Sequence, residues 1–137
     1  MLSKLATRSL SSTAAVSGRP VVIVDAARTP FVRSNQEYDG IWAYDLQREA
    51  ISGLLKRNPK VNPAHIDRVV CGTVIQDVST SNISREAALA AGIPNNVPCN
   101  TVTLACISSN VAMSDCAADM QKIQKNIPNP SAKILIF

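Results

Sequence analysis

The four cysteines of this chain, Cys71, Cys99, Cys106 and Cys116, and its single histidine, His65, are the side chains able to do nucleophilic or metal chemistry. They contain no C-x-x-C pair. With one histidine a zinc site has little support, because structural zinc takes four ligands at close and regular spacing, and no metal is expected. Cys106 differs from the others in its setting. It follows Asn100-Thr-Val-Thr-Leu-Ala105, a β-branched run, and precedes Ile107-Ser-Ser-Asn110, which starts a helix. A cysteine in the first turn of a helix faces unpaired backbone N–H groups and the positive end of the helix dipole. Both favour the thiolate, which is the attacking form. Position alone favours a plainer role, that of a small buried hydrophobe. His65 falls in Asn62-Pro-Ala-His-Ile-Asp-Arg68, a polar approach to a strand, and reads as a surface residue.

The elements that must position Cys106 follow from hydrophobic spacing. Pro20 to Val24 reads as a buried strand, central in a sheet and closed by Arg28-Thr-Pro30. Ala43, Leu46, Ala50, Ile51, Leu54 and Leu55 recur at helical spacing, predicting an amphipathic helix over 43–57 that stops at Asn58-Pro59. Val69 to Ile75 has the character of a second buried strand, in which Gly72 permits a bulge or a close backbone approach. A second helix is expected over 83–91, with Ser81 or Asn82 as N-cap and Gly92 and Pro94 as its stop. Thr101 to Leu104 is a third strand and Ile107 to about Lys125 a third helix. Strand and helix alternate three times, which predicts an α/β layered fold with a mixed sheet whose faces helices cover. Cys106 then lies where strand carboxyl ends meet helix amino ends, the usual place for ligands and nucleophiles in such sheets.

With 137 residues, 46% of them hydrophobic and 18% charged, the chain is ordinary for one globular domain. Its apolar runs are too short for a membrane span of ~20 residues. The net charge of +4 comes mostly from Lys4, Arg8 and Arg19, which precede the first acidic residue, Asp25. That leaves 11 basic and 10 acidic residues from Pro20 onward, so no basic face for nucleic acid is expected. Residues 1–19, rich in Ser and Ala and free of acids, have the composition of a mitochondrial transit peptide, ahead of a domain over 20–137. In a matrix or cytosolic setting the four thiols are expected to be reduced, at most one of them catalytic. A redox role has little support, because no resolving cysteine lies near Cys106 in sequence.

Three stretches in order carry a family resemblance: Val21-Val-Ile-Val-Asp-Ala-Ala-Arg-Thr-Pro-Phe31, the segment from Gly72-Thr-Val-Ile-Gln76 through Ser84-Arg-Glu-Ala-Ala88 to Gly92, and Thr101-Val-Thr-Leu-Ala-Cys-Ile-Ser-Ser-Asn110. Together they resemble the amino-terminal half of a thiolase, of the mitochondrial 3-ketoacyl-CoA type. The resemblance implies that Cys106 is the acyl-accepting nucleophile in thiolytic cleavage of 3-ketoacyl-CoA, with coenzyme A as substrate and no further cofactor. It also implies acyl-CoA substrates, a homodimer formed through this domain, an α subunit of the mitochondrial trifunctional complex as partner, and a matrix location with peripheral contact to the inner membrane.

In thiolases the activating histidine, the second catalytic cysteine and much of the CoA-binding surface lie later in the subunit. Cys71, Cys99 and Cys116 resemble none of these, and are expected to be structural. Gln76 and Arg85 lie where thiolases place supporting and interface loops, and read equally as a loop amide and an exposed helix charge. The resemblance runs from Val21 to about Met113. Beyond about residue 114, Asp115, Asp119, Lys122 and Lys125 depart from the family pattern, and Ile134-Leu-Ile-Phe137 imitates a further strand. A truncated, catalytically inactive thiolase fragment serving as an interaction module is the alternative reading.

Overall fold

The computed structural model describes residues 20–126 and 133–136; the leader expected at residues 1–19 lies outside them. Helix α1 runs over Ala43–Arg57. Asp45 in its first turn accepts a hydrogen bond from the Trp42 N–H at 3.3 Å, and Lys56 and Arg57 sit at its negative end. The Asn58 N–H bonds back to the carbonyls of Leu54 and Leu55, after which Pro59, having no N–H, cannot extend the helix. A short 3-10 turn, Pro63–His65, leads into strand β1, Ile66–Gly72. Helix α2 is Ile83–Ala90, strand β2 Cys99–Val102, helix α3 Ser108–Asn126 and strand β3 Lys133–Ile136.

The strands form one sheet in the order β2-β1-β3, and every pairing is parallel. A mixed sheet was the sequence expectation; the observed strands run parallel because a helix carries the chain back from β1 to β2 and again from β2 to β3. β1 is central, and its alternation sorts the core. Val69 and Cys71, both fully buried, face α1 and α2, where they join Ile51, Ala87, Ala88, Ile93 and Val97. Val70 faces α3 and packs with Ala112 and Cys116. Arg68 shares the Val70 parity and its guanidinium pairs with Asp119 of α3. Ile66 breaks the parity by joining the α1–α2 side, which the register shift between Ile66 and Arg68 permits. The result is the expected α/β layering, with a helical layer on each sheet face.

The expected strand at Pro20–Val24 is not formed. Residues 20–33 have no regular structure, and Val22, Ile23 and Val24 are 67%, 83% and 82% exposed. The segment stands outside the sheet, whose described strands are β2, β1 and β3 with β1 in the centre. The segment is held instead at the carboxyl end of α1. Arg57 donates to Asp25 at 2.5 Å and Asn58 Nδ2 donates to it at 2.6 Å, which lowers the Asp25 carboxyl to about 2.

Candidate active site

Cys106 lies on the connection between β2 and α3, at the carboxyl end of the sheet, and is exposed. The connection is a tight elbow. After Val102 the chain passes Thr103 and Leu104, turns at Ala105 and enters α3 at Ser108. Ala105 has φ +48°, the left-handed region, which costs an L-residue with a Cβ roughly 1–2 kcal/mol. The Ile107 N–H bonds to the Leu104 carbonyl at 3.3 Å and the Ser108 N–H to the Ala105 carbonyl at 3.2 Å, closing the turn around the cysteine. Cys106 therefore lies two residues before a 19-residue helix rather than in its first turn, where the sequence placed it, and the first N–H groups of that helix have no partner further back in the helix.

Two features hold the elbow against the end of β1. Gly72, the last residue of the strand, has room for no side chain. A Cβ there would stand 2.5 Å from the Ser109 nitrogen and 2.6 Å from the Ser108 carbonyl carbon. Close backbone approach is thus the role of Gly72. Ser108 is 3% exposed, and its hydroxyl bridges the Leu104 N–H and the carbonyls of Thr73 and Ala105.

Next to the elbow, the loop from Thr73 to Ser81 is braced by its own polar groups. Gln76 Nε2 donates to the Ser81 carbonyl at 2.9 Å, and Ser79 donates through N–H and Oγ to Asp77, lowering that carboxyl. Asn82 does more than cap α2. Its Oδ1 accepts from the Arg85 N–H at 3.2 Å and from Thr101 Oγ1 at 2.8 Å, and its Nδ2 donates to the Cys99 carbonyl at 3.1 Å. One side chain thereby ties the start of α2 to β2. Arg85 donates to the carbonyls of Val97 at 2.9 Å and Asn95 at 2.7 Å, so its guanidinium is engaged in holding the loop after α2. Gln76 and Arg85 are both bracing groups in this geometry.

The other expected features separate from Cys106. Cys71 and Cys116 are fully buried, and burial pushes both thiols up to about 11, leaving them protonated and inert at neutral pH. Cys99 is half-buried with its Sγ 3.4 Å from the Val97 carbonyl. His65 is exposed and immediately precedes β1, at the amino end of the parallel sheet, whereas Cys106 follows its carboxyl end. At about 3.3 Å per residue, the seven residues of β1 put roughly 20 Å between those ends. His65 cannot serve the thiol. Among the described residues no three His, Cys, Asp or Glu side chains gather as a metal site. The close approach at Gly72 was legible in the sequence, whereas Ser108 and the turn at Ala105 were missed. An alanine carries no signal for left-handed backbone, and a serine opening a helix ordinarily suggests only a cap.

Comparison with known proteins gives the fold and site a context. Residues 21–127 match the family model described as the thiolase N-terminal domain. A Caenorhabditis elegans protein named "Probable 3-ketoacyl-CoA thiolase" is 55% identical over 94 residues, covering 69% of this chain and 21% of the relative. The mitochondrial trifunctional enzyme subunit beta of Bos taurus is 48% identical over 108 residues, 79% of this chain and 22% of the relative. Among solved structures, Bacillus anthracis acetyl-CoA acetyltransferase aligns with a TM-score of 0.58 at 30% identity, over 62% of this chain and 21% of the other. The chain spans about a fifth of the length of these curated relatives.

Proposed function

Because this chain belongs to the thiolase family, by its match to the family's N-terminal domain over residues 21–127, we propose that it carries the nucleophilic part of a 3-ketoacyl-CoA thiolase, with Cys106 as the acyl-accepting residue. The observation that carries the reading is the exposed Cys106 thiol on the β2–α3 elbow, beside the start of α3. In the proposed reaction the Cys106 thiolate attacks the 3-keto carbon of a 3-ketoacyl-CoA. The bond between C2 and C3 breaks, its electron pair leaves as the enolate of acetyl-CoA, and a proton quenches that enolate. The acyl group, now a thioester on Cys106, is taken by the thiol of a second CoA, which releases acyl-CoA and returns the cysteine.

This chemistry requires a base for the thiol, an acid for the enolate and hydrogen-bond donors for the oxyanion. The described residues supply the elbow but no base at the thiol. Thiolases carry that histidine and the second cysteine in the later part of the subunit, so turnover belongs to a site in which both parts are present. The names of the mitochondrial trifunctional relatives, together with the composition of residues 1–19, support a mitochondrial location, and the proposal places the protein at the matrix or the matrix face of the inner membrane. The names of these relatives support acyl-CoA substrates and membership of a larger enzyme, and a homodimer and an α-subunit partner complete the proposal. No described helix is long and apolar enough to cross a membrane.

The test is to locate the acyl group. A thiolase subunit bearing this segment is incubated with a 3-ketoacyl-CoA without free CoA, and the adduct is mapped by peptide mass. The acyl group is expected on Cys106 and is lost in Cys106→Ser; an adduct on another residue, unaffected by that substitution, refutes the assignment.

A further inference from the structure

Ser108 has more bonds than a helix start requires, and all of them point backwards. A capping serine accepts from an N–H two or three residues ahead of it. The Ser108 hydroxyl instead accepts from the Leu104 N–H at 2.8 Å, four residues behind, and lies 2.6 Å from the Ala105 carbonyl and 2.9 Å from the Thr73 carbonyl. Its single proton is shared between those two carbonyls. The three partners come from the exit of β2, the left-handed turn and the end of β1, and Cys106 lies between the turn and the serine. The residue is 3% exposed, so water does not compete for these bonds. The backbone angles of Ala105 aim the residue that follows it, and Ala105 sits in a conformation that alanine does not hold without help.

We propose that Ser108 is the positioning residue of the Cys106 thiol: its buried hydroxyl pins the Leu104–Ala105 turn to the end of β1 and so fixes where the cysteine projects. The proposal rests on Cys106 being the nucleophile. Ser108 acts through the backbone of the turn, so its effect is on the reactivity of a neighbouring thiol.

The 137-residue chain contains its own controls. Labelling with iodoacetamide near neutral pH, read at each cysteine by peptide mass, compares Cys106 with the half-buried Cys99 in the same molecules, while protection of buried Cys71 and Cys116 reports an intact fold. In Ser108→Ala the ratio of Cys106 to Cys99 labelling is expected to fall several-fold, because the freed turn no longer holds the cysteine next to the start of α3. Ser108→Thr, which keeps the hydroxyl, restores the parental ratio. Adding Ala105→Gly to Ser108→Ala, so that the turn no longer strains a Cβ, recovers part of the loss. A parental ratio in Ser108→Ala, with Cys71 and Cys116 still protected, overturns the proposal. If Ser108→Ala exposes the buried thiols, Ser108→Thr decides: a parental ratio supports the role of the hydroxyl, and a fall with the buried thiols protected overturns it. Failure of Cys106 to take an acyl group in the thiolase subunit would remove the nucleophile reading and leave this ratio unchanged, so the two failures are distinguishable.

Discussion

Adding a single methyl group at Gly72 is the sharpest perturbation this fold offers. A Cβ there would meet the Ser109 nitrogen at 2.5 Å, the Ser108 carbonyl carbon at 2.6 Å and the Ser109 Cα at 2.9 Å, against an ordinary contact of 3.4 Å or more. All three are backbone atoms, so no side chain can swing aside, and the first turn of α3 must retreat from β1 by about 0.9 Å. Overpacking of this kind costs roughly 1–3 kcal/mol. The upper half of that range applies, because Val70, Ala112 and Cys116 form a small cluster next to the contact and would be opened by the same movement. About 2 kcal/mol corresponds to a fall in Tm of roughly 8–16 °C for a domain near 100 residues. The elbow moves with the helix, so Cys106 is carried away from its place beside β1 by the same shift. Gly72→Ala is therefore expected to melt earlier by circular dichroism and to label more slowly at Cys106. A variant whose Tm stays within about 2 °C of the parent, with Cys106 equally reactive, would refute the close packing of β1 against the start of α3.

Asn82→Ala removes the cap of α2 and its ties to Cys99 and Thr101 together; a loss of about 1–2 kcal/mol is expected, read as a lower urea midpoint with an unchanged m-value. Arg85→Ala should instead loosen the loop at Asn95–Val97, seen as faster amide exchange there. The buried thiols give the alkaline behaviour. Cys71 and Cys116 ionise at about 11 in the fold against 9.0 for the free thiol, so their contribution is complete below pH 9 and is lost as pH rises toward about 11. Denaturant titrations over that range should show stability falling, and Cys71→Ala should flatten the fall at some cost in stability at neutral pH.

The helices were legible because their signals are local. The apolar spacing from Ala43 to Leu55 and the Asn58-Pro59 stop reproduce α1, and Asn82 and Gly92 bracket α2. Gly92 has φ +87°, the left-handed turn that glycine supplies after a helix. The strand at Pro20–Val24 was misread because a β-branched apolar run states a preference for pairing without naming a partner. Which strands fill the sheet is decided by residues far along the chain, β1, β2 and β3. The candidate site divides in the same way. Cys106 was singled out from its neighbours in sequence and the family resemblance, whereas Ser108 is tied to Thr73, 35 residues away, and no local pattern announces that bond.

The central place of β1 also bears on how the chain emerges during synthesis. α1 is made before β1, so Ile51 is already present to shelter Val69 and Cys71 as they appear. Val70, on the opposite face, must wait for Ala112 and Cys116, some forty residues further along. During that interval the nascent chain carries a half-dressed strand, with one side covered and the other bare, and it is the bare side that solvent, neighbouring chains and chaperones meet first.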